Sequence, residues 1–451
     1  MGGKMLSLEE IRIALEAERI GGDVEFTSVS TDSRKIEKGS LFVALKGEHF
    51  DGADFVETAA KAGAAAAIVE RRIDSPIPLL LVADTKTALG RLAALWRERF
   101  EIPLVAVTGS NGKTTVKEML SSILRERGEV LATKGNLNND IGLPLTLLGL
   151  RKNHAYAVIE MGMNHPGEIA YLCSIAKPSI ALVNNAASAH LEGLGSVAAV
   201  ARAKGEIFEK LGKKGVAVIN ADDAYAPLWR DLAQEARIVE FGLEKNASFT
   251  ADYSLSELGS EIVMHTPQGK IELRLHVPGL HNVRNALAAT AAAISAGMDG
   301  EAVRNGLEKF KGVAGRMQRK KGKNGSVLID DTYNANPDSV RAAISWLAKA
   351  KGKTLLILGD MGELGADSSR LHEETGNFAK ESKIGMLLTL GKASHAISTA
   401  FGENAWHFED ADLLASRAAN LLTPGMTVLV KGSRFMKMER VVEKLEEKSC
   451  C

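Results

Sequence analysis

The sequence predicts a three-domain α/β protein, and three observations predict it. The stretch from Leu104 to Leu124, LVAVTGSNGKTTVKEMLSSIL, reads as a buried strand, a glycine-bearing turn and an amphipathic helix, the opening of a mononucleotide-binding sheet. Apolar runs of strand length alternate with helical patterns along most of the 451 residues, as in mostly parallel sheets. That alternation breaks twice: residues 247–277 read as short antiparallel hairpins, and Gly312, Gly315 and Arg316 read as a linker. The expected division is a small α/β domain over 1–83, a central phosphate-loop domain with a parallel sheet plus small hairpins over 84–314, and a Rossmann-like domain over 315–451.

In the first unit, Ser7 and Glu10 are spaced as a capping box for a helix carrying Leu8, Ile11 and Leu15, with Gly21-Gly22 as its stop. A strand around Val24–Val29, a turn at Lys38-Gly39, a strand at Leu41–Leu45, an alanine-rich helix and strands at Ala66–Val69 and Leu79–Val82 complete it. Loops that follow strands in such sheets are where ligands sit, which marks Ser33, Arg34 and the loop around Gly47. Ordinary turns use the same residue types, so the spacing leaves both readings open.

A helix from Thr85 to Phe100 leads through Pro103 to the phosphate loop. Beyond it the pattern places strands at Tyr156–Ile159 and Ile180–Val183, a helix carrying Lys204, and a strand at Ile238–Phe241. Hairpin turns fall near Gly259 and Gln268-Gly269, and helices resume at His281–Ala296 and Glu301–Phe310. The last unit has strands near Val327–Ile329, Leu355–Leu358, Met386–Leu390 and Val428–Val430. The basic run Arg319-Lys320-Lys321-Gly322-Lys323 reads as a solvated turn rather than a docking patch.

A strand, a glycine loop and a helix N-terminus aim backbone N–H groups and the positive end of the helix dipole at one point, an anion site. Gly109, Ser110, Asn111, Gly112, Lys113, Thr114 and Thr115 form that turn. Lys113 would supply a point charge for β- and γ-phosphates and the Thr114 hydroxyl a ligand for Mg²⁺. Val107 stands where the usual phosphate-loop pattern has its first glycine. Glu160, ending a buried strand beside this loop, suits a hard cation. Three amides, Asn136, Asn138 and Asn139, crowd one loop and serve either a turn or a ligand.

Composition narrows the partners. Fifty-six basic residues balance fifty-six acidic ones, which argues against a general nucleic-acid binder or an anionic-membrane binder. No apolar run reaches the roughly 18 residues of a membrane helix. Cys173, Cys450 and Cys451 show no metal or disulfide spacing, as expected in a reducing cytoplasm.

The order of these signals resembles the Mur ligase family over essentially the whole chain. Thr108-Gly109-Ser110-Asn111-Gly112-Lys113-Thr114-Thr115 resembles the family's nucleotide loop, which commonly lacks the first glycine. Asp32-Ser33-Arg34 through Asp51-Gly52 looks like its UDP-binding N-terminal domain. Gly135-Asn136-Leu137-Asn138-Asn139, Glu160-Met161-Gly162, His190, Lys204 and His281-Asn282-Val283-Arg284-Asn285 match its central domain. Asp331-Thr332-Tyr333-Asn334-Ala335-Asn336-Pro337 and Leu358-Gly359-Asp360-Met361-Gly362-Glu363-Leu364-Gly365 resemble the D-alanyl-D-alanine-adding branch, and the Asp-Asn-Pro-Arg motif of the diaminopimelate-adding branch is absent.

The resemblance implies ATP-driven amide formation between UDP-N-acetylmuramoyl-tripeptide and D-alanyl-D-alanine through an acyl phosphate, by a cytoplasmic monomer. It implies Lys113 and the loop backbone on the phosphates, Thr114 and Glu160 on one Mg²⁺, and His190 on a second. Asn282 and Asn285 would meet the adenine, and Arg316 and Asp331 the phosphate and ribose. Ser33, Arg34 and Gly47 would hold the UDP end of the substrate, Asn136, Asn138 and Asn139 its muramoyl-peptide, and Tyr333, Asn334, Asn336 and the Asp360–Leu364 loop the dipeptide. Lys204 matches a position that relatives carry as a carbamate, an oxygen donor where an ammonium would repel Mg²⁺. A ligase adding a different amino acid and a phosphate-loop ATPase switch are the rival readings.

Overall fold

The computed structural model describes residues 3–188, 191–256 and 259–447. Its N-terminal unit is a five-stranded sheet in the order Glu18–Ile20, Leu79–Leu81, Ala66–Val69, Ser40–Val43, Ser28–Ser30. All its pairings are parallel except the first. The helix Leu8–Ala14 has the expected capping box, Ser7 Oγ accepting from Glu10 N–H and the Glu10 carboxylate from Ser7 N–H. It does not run on to Gly21-Gly22. The chain reverses at Glu16 (φ 54°), and Glu18–Ile20 pairs antiparallel with Leu79–Leu81. That partner lies about 60 residues away, so a local pattern carries no sign of it.

The central sheet is six-stranded and wholly parallel, in the order Arg237–Phe241, Val216–Asn220, Ile180–Val183, Leu104–Thr108, His154–Glu160, Glu129–Ala132. Leu104–Thr108 is buried at every residue, which accounts for its unbroken apolar sequence. The chain visits both sides of this strand, so the crevice beyond its carboxyl end is the topological switch point where ligands bind. Register sets the site: Glu160 lies level with Val107 and Val183 with Thr108, so the phosphate loop, Glu160 and Asn184 leave the sheet along one edge. A three-stranded antiparallel sheet, Thr250–Leu255, Ser260–Thr266 and Gly269–Leu275, realises the expected hairpins. The helix Leu280–Ser295 packs its alanine-rich face on the phosphate-loop helix Lys113–Leu124.

The C-terminal sheet runs Gln318–Gly322, Ser326–Asp331, Thr427–Lys431, Thr354–Gly359, Met386–Leu390, Ala405–Phe408. All pairings are parallel except the first. Here the basic run corrects the expectation. Gln318–Gly322 is an edge strand joined to Ser326–Asp331 through Asn324 (φ 57°) and Gly325 (φ 71°), and Lys320 reaches Glu446 at 3.0 Å. Lysines are well suited to a sheet edge, where their charge blocks further pairing.

One hydrophobic cluster spans the first two units, joining Leu8, Ile11, Phe26 and Leu41 to Leu92 and Trp96 of the helix Thr85–Arg97 and on to Leu172. The C-terminal sheet has its own clusters on its two faces, centred on Ile344 and Leu356 and on Leu414 and Val428.

Candidate active site

The phosphate loop is held from below by amides. Asn184 Nδ2 donates to the Asn111 carbonyl at 2.9 Å and to Asn285 Oδ1 at 2.9 Å. Asn185 Oδ1 accepts from Asn111 N–H at 2.8 Å while its Nδ2 donates to the Asn111 carbonyl at 3.0 Å. Ser110 Oγ accepts from Ala187 N–H at 2.9 Å. Gly112 caps the helix Lys113–Leu124 in a left-handed conformation (φ 81°). A Cβ there would lie 2.4 Å from Asn285 Oδ1 and 2.5 Å from Asn184 Nδ2, so both backbone and space demand glycine.

Lys113 folds its ammonium back onto the Gly109 carbonyl at 2.7 Å. Burial lowers its pKa first, Glu160 and Glu363 oppose that shift, and Arg316 adds to it. Thr114 is buried and its Oγ1 accepts from Arg316 Nη2 at 2.9 Å; Thr115 is buried beside it. Glu160 is 2 % exposed: its Oε1 accepts from Asn138 Nδ2 at 2.8 Å, its N–H donates to Thr133 Oγ1 at 3.0 Å, and its Oε2 has no partner. Lys117, fully buried one turn beyond Lys113, donates to the Thr133 carbonyl at 2.6 Å and so ties the loop helix to the strand end that pins Glu160.

Lys204 lies on the helix Val197–Gly205 with its ammonium wholly buried and unpartnered. Burial takes its pKa well below that of an ordinary lysine, the Lys113 charge lowers it further, and Glu363 pulls it back up. Leaving a buried ammonium without a hydrogen bond is costly. The pairing with Glu206 that a plain structural lysine would make is absent, because Glu206 accepts from Gly167 and Ala170 N–H.

From the C-terminal domain, Arg316 lies over the Tyr333 ring, 4.1 Å from its centroid. Asn336 caps the helix Pro337–Leu347 and donates across the domain boundary to Asn111 Oδ1 at 2.9 Å. Asp331 is bonded to Lys431 at 2.7 Å, and Asn334 Oδ1 accepts from Arg434 N–H at 3.3 Å. Between the two domains lies a cleft of about 830 Å³.

The cleft brings together most of the expected residues. Ser110 to Lys113, Asn136, Asn138, Asn139 and Glu160 line it from one side, Arg316, Tyr333, Asn334 and Asn336 from the other. Asn139 also spends its side-chain oxygen on the N–H groups of Ile141 and Gly142, so the structural reading of that amide holds as well. Asn282 and Asn285 do not line the cleft. Asn282 donates to the Pro278 carbonyl at 2.7 Å, and Asn285 supports the phosphate loop from beneath. Asp360 turns away to accept from Lys392 and Ser394 N–H, leaving Gly362 and Glu363 at the cleft. His190 lies outside the described residues. Ser33, Arg34 and Gly47 are apart from the cleft. Arg34 forks onto Asp32 at 2.9 and 3.0 Å and holds that carboxyl at about 2, and Gly47 N–H donates to the Phe50 carbonyl.

Sequence reasoning overlooked Asn184 and Asn185, whose signal was their place at the carboxyl end of Ile180–Val183. It also overlooked the cleft-lining segment 431–435, which directly follows the buried strand Thr427–Lys431.

Family models match in chain order: the Mur ligase family catalytic domain over residues 25–97, the Mur ligase middle domain over 107–293, and the Mur ligase glutamate ligase domain over 315–434. UDP-N-acetylmuramoyl-tripeptide–D-alanyl-D-alanine ligase of Escherichia coli K12 is 45% identical over 450 residues, 99% of each chain. MurF from Acinetobacter baumannii superposes with a TM-score of 0.92 at 39% identity over 98% of each chain. MurF of Thermotoga maritima, solved in complex with ADP, does so at 0.82 and 29%, covering 92% of this chain and 96% of that one.

Proposed function

The chain belongs to the Mur ligase family, and we propose that it joins D-alanyl-D-alanine to UDP-N-acetylmuramoyl-tripeptide, with ATP converted to ADP and phosphate. One observation carries the reading: Lys113, Glu160 and Asn138 of one domain face Arg316, Tyr333 and Asn336 of another across a single cleft. A carboxylate is a poor electrophile. Transfer of the γ-phosphoryl group to the tripeptide's terminal carboxylate supplies a leaving group, and the dipeptide's amine then attacks the acyl phosphate. The tetrahedral species collapses to amide and phosphate. Such a reaction asks the protein mainly for positioning and cationic stabilisation.

Lys113 leaves the Gly109 carbonyl for the phosphates, joined by the N–H groups of residues 112–115, those of Ser110 and Asn111 being held by Asn185. Arg316, already at Thr114, neutralises phosphoryl charge from the far domain, with Asp331 near the ribose. Asn136, Asn138 and Asn139 orient the muramoyl-peptide, and Ser33, Arg34 and Gly47 hold its UDP end. We divide the chain into domains at 1–83, 84–314 and 315–451.

The residues fit Mg²⁺. The orphaned Glu160 Oε2 is a buried anionic oxygen, and Thr114 offers a hydroxyl. Among the described residues no group of three or more His, Cys, Asp or Glu converges, so substrate oxygens and water would complete the shell. Glu160 and Thr114 would hold one ion, and His190 a second. Bound there, Mg²⁺ supplies Lewis-acid polarisation of the phosphoryl oxygens.

Lys204 is read as a carbamate. Its buried, partnerless amine has its pKa drawn well below that of an ordinary lysine, which favours the neutral form that reacts with CO₂, and a carbamate gives oxygens to a hard cation. Lys204→Ala should be nearly inactive and partly restored by a short-chain carboxylic acid; restoration by an alkylamine instead would refute the carbamate. As part of the same proposal the enzyme acts in the cytoplasm as a monomer. No described helix is long and apolar enough to cross a membrane. Phosphate release from ATP and the UDP-tripeptide should depend on D-alanyl-D-alanine and not on D-alanine or L-lysine. Release that ignores the acceptor would overturn the proposal in favour of an ATPase switch.

A further inference from the structure

The two residues offered to Mg²⁺ stand on different elements. Thr114 opens the helix Lys113–Leu124, and Glu160 ends the strand His154–Glu160. Between that helix and the sheet the packing is hydrocarbon: Val116, Met119 and Leu120 share one cluster with Val107, Val130 and Val158. Apolar burial is non-directional. It holds the helix against the sheet without fixing where Thr114 stands relative to Glu160. A buried polar side chain crosses this seam. Lys117 lies three residues after Thr114, on the adjoining part of the same helix face, and is 1% exposed. Its Nζ donates to the Thr133 carbonyl at 2.6 Å and lies 2.9 Å from Glu118 Oε1.

Thr133 is the hub on the other side. It is fully buried, its Oγ1 accepts from Glu160 N–H at 3.0 Å, and its N–H donates to the Val158 carbonyl at 3.1 Å. The loop that leaves it returns to the strand end at Asn138. Asn138 Nδ2 donates to Glu160 Oε1 at 2.8 Å, and its carbonyl accepts from Gly162 N–H at 2.9 Å. Thr133, Asn138 and Glu160 therefore close a ring that fixes the Glu160 backbone and one carboxylate oxygen, and Oε2 is left over. Lys117 fastens this ring to the helix that carries Thr114. Burying a lysine is costly, and a methionine would fill the same space without that cost. What the lysine adds is a donor at one fixed point.

We propose that Lys117 is a positioning residue for the metal site: through Thr133 it sets the spacing between the Thr114 hydroxyl and Glu160 Oε2, so that one Mg²⁺ fits both. The inference rests on the reading of Thr114 and Glu160 as ligands of that ion. Lys117 touches neither nucleotide nor metal and acts only through the ring. Removing a group that orients a metal's ligands costs about tenfold to a hundredfold in metal affinity.

The experiment is calorimetric binding of a non-hydrolysable ATP analogue to the full chain, once with Mg²⁺ and once with a chelator, so that no turnover is involved. The parent should bind more tightly with Mg²⁺. Lys117→Met should keep the metal-free affinity and lose about tenfold of the Mg²⁺-dependent gain. Thr133→Val, which removes the hydroxyl bonded to Glu160, should do the same, and Thr133→Ser should keep the gain. The double variant Lys117→Met/Thr133→Val should lose little more than either single one, because both cut one link. Equal losses with and without Mg²⁺, an undiminished gain in the single variants, or losses that multiply in the double variant would overturn the proposal. Where Lys117→Met fails to fold, Thr133→Val and Thr133→Ser decide, and equal gains in those two would overturn it. A parent whose affinity ignores Mg²⁺ would instead overturn the metal reading on which the inference stands.

Discussion

Against the N-terminal unit, the central domain is sealed by hydrocarbon: Leu8, Ile11, Phe26 and Leu41 share one cluster with Leu92, Trp96 and Leu172. Against the C-terminal unit it is met by polar side chains, Arg316 on Thr114, Asn336 on Asn111, and Asp338 accepting from Ser188 N–H at 2.9 Å. Each fully buried aliphatic side chain at the first boundary stabilises by about 1.5–3 kcal/mol. Each exchangeable hydrogen bond at the second is worth about 0.5–1.5 kcal/mol net, since water can replace the partner. The first boundary therefore behaves as one body. The second is held by contacts that water can replace, so it is expected to open and close more readily, as a ligase that admits three substrates and then excludes water would require.

The comparison can be broken most sharply at the sealed side. Leu92 is fully buried, and Leu92→Ala should cost roughly 2–5 kcal/mol, seen as a lowered midpoint in denaturant with both units unfolding together. Separate transitions for residues 1–83 and the central domain would show that the shared core does not couple them.

On the open side the largest effect is catalytic. Lys113→Ala should lower kcat by roughly 10²-fold, about 2.7 kcal/mol, with the unfolding midpoint little moved. Near-normal turnover would remove the phosphate loop from the chemistry.

Arg316 tests the polar contact itself. Arg316→Ala should change stability by less than about 1 kcal/mol. Its radius of gyration with an ATP analogue and UDP-tripeptide should stay above that of the parent, measured by small-angle scattering. Equal radii would mean that closure does not use this contact.

The smallest effect is one of pH. The folded protein holds the Lys204 amine below the usual lysine pKa, so the unfolded chain binds a proton over a window that ends near 10.5 in which the folded one does not. Stability should rise with pH across that window and fall as pH drops through it. With CO₂ excluded, Lys204→Met should flatten the slope; parallel slopes would place the amine in water.

Much was written in the chain itself. The strand Leu104–Thr108, the glycine turn and the helix Lys113–Leu124 announce a phosphate loop because each depends on local backbone geometry: an apolar run, a left-handed glycine and a 3.6-residue period. The hairpins at 250–275 were legible for the same reason, through period-two alternation and turn residues. What tertiary structure alone decided were pairings and neighbours. Glu18–Ile20 became a strand only because Leu79–Leu81 lies beside it. The basic run at 319–322 became a sheet edge by pairing with Ser326–Asp331. Asn285, expected at the adenine, lies under Gly112 and bonds Asn184 beneath the loop, a contact that only helix packing provides. Glu363 and Arg434 stand 71 residues apart, and nothing local says that Thr354–Gly359 and Thr427–Lys431 are adjacent strands. Local propensity fixes φ, ψ and which face is apolar; which side chains share a cleft depends on strand order, and strand order is set by the packing of the whole sheet.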